Sequence, residues 1–330
     1  MKKIIAGATI LLALTTSLFA AKAKKTDKAN GKLKVVTTIF PEYDWTREII
    51  GNTNSADLTL LIGNGVDLHS YQPSIQDIAK ISTADIFIFV GGESDSWVKD
   101  ALKNATNKNM KVINLMEVLG NKVKAEEFKE GMQAEEEEEH EHHHHDDDEE
   151  EVEYDEHVWL SIRNAKILCE EITSVLCEKD AANAVNYKAN LAAYSVKLND
   201  LDAKYAATVK NGSKNTILFG DRFPFRYLVD DYGLDYFAAF VGCSAETEAS
   251  FETVIFLSKK VDELGLNTVL KIESGDGKIA RTIVQNTKNK SAKVLTLDSI
   301  QSTTSKQAAK GTTYLSIMEG NLKVLEEALK

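Results

Sequence analysis

Cysteine is scarce in this chain, with three in 330 residues. Three thiols are too few for a disulfide framework. Cys169 and Cys177 fall eight apart on an evident helix, about 12 Å at helical rise and beyond the roughly 7 Å that a bridge spans. All three, Cys243 included, read as buried apolar thiols. No basic patch stands out, which argues against a nucleic-acid partner. Beyond Ala20 there is no apolar run long enough to cross a membrane. Histidine is also rare outside one stretch: of the seven, only His69 lies elsewhere.

That stretch is residues 135–157, which hold six histidines and fifteen carboxylates and no basic residue. The run accounts for −15 of charge against a formal total of −12, so the remainder of the chain sums to +3. Such a segment buries too little apolar surface to offset its ordering entropy and is expected to be disordered when unbound. Its histidines His140, His142, His143, His144 and His145 suit a weak, multivalent cation collector. Their neutral imidazoles bind metal and the protonated forms do not, so capture by the run is expected to fade as pH falls through about 6.5. His140-Glu141-His142-His143-His144 formally matches H-E-x-x-H, but no apolar face is available to hold it on a helix.

Residues 1–23 read as a secretory signal. Lys2 and Lys3 form the basic end, Ile4 to Ala20 the apolar core and Ala21-Lys22-Ala23 the cleavage pattern. The expected product is exported, periplasmic or otherwise extracytoplasmic, and soluble after cleavage; an uncleaved anchor is the alternative. No cysteine lies near the cleavage point to carry a lipid.

The length suits two lobes. Short apolar strands alternate with helices, which indicates parallel βα units and an α/β fold. Strands are expected at Leu33–Thr38, Asp57–Ile62, Asp85–Val90 and Lys111–Leu115. A second set is expected at Thr216–Phe219, Leu234–Val241, Thr268–Ile272 and Lys293–Leu297. Between the sets, Ala184, Tyr187, Leu191, Tyr194, Leu198, Leu201 and Tyr205 repeat at spacings of three and four. They mark a helix from Asp180 to about Lys210, roughly 46 Å long, read as a rigid spine between lobes. The expected domains are an N-terminal lobe over 24–160, a helical segment and spine over 161–211 and a C-terminal lobe over 212–330. A disordered acidic and His-rich loop is expected at about 121–156.

Open parallel sheets bind ligands outside the carboxyl ends of their strands. His69, Asp221, Glu273 and Asp298 each follow an expected strand, and His157 opens a segment that leads into a helix. Two imidazoles with carboxylates from separate elements make a divalent-cation site. The nitrogens suit zinc, and the carboxylates admit manganese.

Val35-Val36-Thr37-Thr38-Ile39-Phe40-Pro41-Glu42-Tyr43-Asp44-Trp45, the segment from Asn64 to Ser74 and Asp155-Glu156-His157-Val158-Trp159-Leu160-Ser161 resemble the solute-binding proteins of zinc and manganese ABC transporters. The resemblance covers essentially all of the mature chain. It implies that His69, four residues before Pro73, and His157, in His-Val-Trp-Leu, are metal ligands in an interlobe cleft. It also implies that the acidic loop stands just before the second ligand and that the long helix is the rigid spine. The family's late carboxylate falls on Asp298. Its third ligand, a His or Glu after the first strand of the second lobe, falls on Gly220, Asp221 or Arg222, of which only Asp221 can coordinate; Glu246, Glu248 or a water are the alternatives. The implied protein is a non-enzymatic, monomeric Zn2+ carrier (alternatively a Mn2+ carrier) that serves a membrane ABC permease. Two rivals are an exported zinc-dependent hydrolase and a metal buffer or adhesin that works through the loop alone.

Overall fold

The computed structural model describes residues 31–133, 152–244 and 248–330. The expected signal segment, the five histidines His140 and His142 to His145, and Glu246 lie outside the described residues. The first lobe runs β1 (Leu33–Thr37), α1 (Phe40–Ile50), β2 (Ala56–Leu60), α2 (Ile75–Ser82), β3 (Ile86–Phe89), α3 (Val98–Lys103), β4 (Lys111–Asn114) and α4 (Leu115–Leu119). Helices α5 (Ile162–Lys179) and α6 (Ala184–Asn211) follow. The second lobe runs β5 (Thr216–Phe223), α7 (Arg226–Tyr232), β6 (Asp235–Val241), α8 (Phe251–Glu263), β7 (Thr268–Lys271), α9 (Lys278–Asn286), β8 (Lys293–Thr296), α10 (Ser305–Ala309) and α11 (Tyr314–Ala328). Each lobe carries a four-stranded sheet, ordered β2-β1-β3-β4 and β6-β5-β7-β8. Every strand pair in both is parallel. Among the described residues no helix is long and apolar enough to cross a membrane.

Local chemistry explains the helix starts. Pro41 sits in the first turn of α1, where a missing N–H removes no helical bond. The Ser74 hydroxyl accepts from Asp77 N while Asp77 accepts from Ser74 N, a capping box that opens α2. Residues adjacent along a strand serve opposite faces. Val35 joins the core shared by both lobes and Val36 a smaller cluster with Ile81 and Phe87. In the second sheet Ile217 faces the shared core and Leu218 packs with Val254, Leu257 and Ile283.

The shared core is the main departure from two independent lobes. Trp45, Trp159, Tyr194, Tyr205, Tyr314 and Leu325 all belong to it. Helix α6, 28 residues or about 42 Å, touches the first lobe at one end and the second at the other. Tyr187 donates to Ser55 Oγ and Asn190 to the Ile49 carbonyl, while Tyr205 donates to the Met318 carbonyl. The last helix then returns to the first lobe: Tyr314 N donates to Asp44, and its hydroxyl donates to the Trp159 carbonyl.

Two stretches differ from expectation. Residues 123–133 and 152–156, expected within the disordered loop, are described and hold defined backbone contacts. Ala125 and Tyr154 form an antiparallel bridge, Glu126 N donates to Glu153 O, and Gln133 N donates to Ala239 O on β6. Residues 123–133 thus form a strap from the first lobe onto the second. Gly220-Asp221-Arg222 is not a loop after the strand but part of β5, with a register shift between Phe219 and Arg222. Gly220 is bare because α9 lies against it; a Cβ there would stand 2.4 Å from Ala280 Cα.

Candidate metal centre

His69 stands in a 3-10 turn after β2, Leu68–Ser70, whose first N–H groups the Asp67 side chain helps to satisfy; His69 N donates to Asp67 Oδ1 at 3.1 Å. His157 sits at the start of the buried turn Val158–Leu160. Although 88 residues apart, their rings meet: Nε2 lies 3.1 Å from Nε2. The far nitrogens are both held. His157 Nδ1 is 3.0 Å from Asp155 Oδ1, and His69 Nδ1 is 2.7 Å from Ser94 Oγ. Assigning the protons by these partners, His157 carries hydrogen on Nδ1, donated to the carboxylate, so its Nε2 presents a lone pair. The same assignment with Ser94 as acceptor gives His69 a lone pair on Nε2 also. Two lone pairs aimed at one point repel each other unless a proton or a cation stands between them. Two nitrogens bound tetrahedrally to zinc at about 2.05 Å would lie roughly 3.3 Å apart, close to the separation seen.

The surroundings are acidic. Glu156 accepts from Ser94 N at 2.9 Å through one oxygen. Its other oxygen, Oε2, is buried without a hydrogen-bond partner and lies 3.6 Å from His69 Nδ1. This approach needs Gly92, which has φ +75° and whose absent Cβ would stand 2.3 Å from Glu156 Oε1. Burial, then the neighbouring His157, push the His69 imidazole down to about 3. For His157 burial is the largest influence and lowers the pKa, but the carboxylates of Asp155, Glu156 and Asp67 together outweigh it, so the value is raised. A cavity of about 260 Å³ opens onto the pair, lined by His69, Glu93, Ser94, Glu126, Glu153, Tyr154, Glu156 and Cys243.

Among the described residues one group could hold a metal: His69, His157 and Cys243, with one ligand atom of each within 4.8 Å of the others. Neither Asp221 nor Asp298 is part of that group. The β5 register shift turns Asp221 toward its own sheet, where it accepts from Ile272 N and Arg222 N. Asp298 accepts from Ile300 N, and burial together with nearby Glu273 raises its pKa to about 7. Glu273, also expected near the cleft, instead accepts from Ser299 and Ser302 and braces that loop. Glu248 is exposed and pairs with Lys278. Sequence reasoning missed Cys243, Ser94 and Glu126. The signal available for Cys243 was its position in a polar loop directly after a strand.

Two matched parallel sheets, a shared helical backbone and an acidic, imidazole-lined cleft define the class of two-lobed α/β ligand-binding proteins. Comparison with known proteins is more specific. Residues 35–328 match the family described as zinc-uptake complex component A, periplasmic, and the chain belongs to that family. It is 30% identical over 328 residues to the zinc-binding protein AdcA of Streptococcus pyogenes, covering 96% of this chain and 60% of the relative. The chain thus spans about 60% of the length of such relatives. It is 31% identical to the high-affinity zinc uptake system protein ZnuA of Bacillus subtilis, covering 92% of this chain and 89% of the relative. The Zn(II)-bound ZnuA-like domain of Streptococcus pneumoniae AdcA superposes with a TM-score of 0.68 at 27% identity, covering 91% of this chain and 99% of that one.

Proposed function

We propose that this protein captures a divalent cation, zinc before manganese, outside the cytoplasm and passes it to a membrane ABC permease without chemical turnover. The observation that carries this reading is the pair of Nε2 atoms 3.1 Å apart, each ring fixed from behind by Asp155 or Ser94. Metal-binding imidazoles are characteristically oriented by such partners. Family membership and the zinc named in the relatives' descriptions support the same cargo. Glu153 and Tyr154, at the end of the acidic run, line the cavity beside His69. This supports a role for His140, His142, His143, His144 and His145 as a collector that feeds the cleft.

Competitive metal titration with elemental analysis tests the reading. One tight zinc per chain is expected, surviving deletion of residues 135–151 and weakened at least about 100-fold by His69→Ala or His157→Ala. Tight binding that vanishes with the run and ignores both substitutions would move the function to the run.

A further inference from the structure

The two imidazoles come from the first lobe and the segment that follows it, and they leave a coordination sphere incomplete. From the second lobe, β5 offers no ligand. Its Asp221 is turned onto Ile272 N, and Arg222 presents a cation, bonded to Asp67 Oδ2 at 2.7 Å and to the Ser244 carbonyl at 3.2 Å. The neighbouring strand β6 does reach the cleft. It ends at Val241, and Gly242 lies flat on His157. A Cβ at Gly242 would stand 3.1 Å from His157 Cε1, 3.2 Å from its Nδ1 and 2.9 Å from the Phe223 carbonyl. Only a bare backbone lets this turn approach so closely, and the approach delivers the next side chain, Cys243, to within 4.8 Å of both imidazoles.

We propose that Cys243 is the third ligand of this site, a thiolate that tunes the cleft to thiophilic cations, zinc above manganese. The proposal rests on the cleft being the metal site. Geometry fixes the residue at one further point besides Gly242. Cys243 N donates to Glu126 Oε1 at 3.1 Å, which holds the residue beside the Glu126 carboxylate. Glu126 belongs to the strap, so the strap and the β6 turn are tied together over the imidazoles. As the metal–sulfur bond forms the S–H bond breaks, and the proton passes to the Glu126 carboxylate and on to solvent. Without a cation, burial and the carboxylates of Glu126, Asp155 and Glu156 hold the thiol protonated; the cation supplies the missing positive charge. A soft sulfur with two imidazole nitrogens suits zinc, whereas manganese prefers oxygen.

The test uses the full chain loaded with Zn2+, and with Co2+ as a spectroscopic probe. X-ray absorption of the wild-type zinc form is expected to show one sulfur at about 2.3 Å beside nitrogen ligands. The cobalt form is expected to show thiolate-to-metal charge-transfer absorption in the near ultraviolet. Cys243→Ser should abolish both signals and weaken zinc about 100-fold, with a much smaller effect on manganese, while Cys177→Ser leaves all of them intact. A nitrogen-and-oxygen-only shell in wild type, with tight His69-dependent zinc binding, overturns the thiolate and leaves the metal-capture reading standing. Zinc binding indifferent to His69 overturns both. The wild-type spectra need no variant to fold.

Discussion

The lobes meet along a seam and across a cleft, and the two contacts are opposite in kind. At the seam Trp159 is fully buried and its indole N–H donates to the Ser299 carbonyl across the lobes. Trp45 packs edge-on against Tyr314 at 5.2 Å. In the cleft, a few residues along the same chain, His157 faces His69, Cys243 and a ring of carboxylates around a cavity. The seam is closed and apolar, so its cost of opening is large. The cleft concentrates charge with little apolar contact, so its energetics wait on what enters it. A shared core at the back of a charged mouth permits only a small closing motion, because rotation of the lobes would have to expose Trp159 and Tyr314.

The seam therefore governs stability and the cleft governs affinity, and substitutions can try to break that division. The largest effect is expected from Trp159→Ala, which empties the centre of the seam. It should lower unfolding stability by about 3–5 kcal/mol, measured by denaturant unfolding of the metal-stripped protein. Loss of less than about 1 kcal/mol would show that the lobes hold together without this contact.

A second seam residue gives a pH signature. Burial raises the Asp44 carboxyl from 3.8 to about 6, although Tyr314 N–H and Arg47 oppose the shift. The folded protein thus holds this proton more tightly than the unfolded chain does. The stabilising contribution is complete below pH 3.8 and is lost as pH rises through about 6. Over that window it amounts to on the order of 3 kcal/mol. Relative to wild type, Asp44→Asn should gain stability steadily between pH 4 and pH 7. A stability difference that does not change with pH would mean that Asp44 is ionised throughout.

Much of this division was legible in the sequence. The alternation of short apolar runs with helical spacings locates the eight strands of the described residues, and Tyr187, Tyr194 and Tyr205 mark the spine because they recur on one helical face. His69 and His157 stand out because each adjoins turn chemistry at the end of an apolar segment. Three things were hidden for physical reasons. Periodicity tells which strand face is apolar but not which other element covers it, so the merging of two cores at Trp159 and Tyr314 could not be read. Charge-rich composition from Glu126 onward masked a strap held by backbone hydrogen bonds, which no side-chain pattern reports. Cys243 was read by residue type as a buried thiol. Its chemistry depends on the partners that Gly242 lets it approach, and these are 86 and 174 positions away.

The smallest effect belongs to an ion pair at the cleft mouth, Arg222 with Asp67, whose side chains are 15% and 16% exposed. Partial solvation screens the pair, and Asp67 also supports the His69 turn, so single substitutions would mix two effects. A double-mutant cycle with Arg222→Gln and Asp67→Asn isolates the contact. A coupling of about 1 kcal/mol is expected in metal-stripped protein, shrinking as salt is raised. Such a value would leave the seam as the dominant link between lobes. A coupling of several kcal/mol, insensitive to salt, would instead make the cleft a latch in its own right, and the small closing motion would then be set by Arg222 and not by the buried indole behind it.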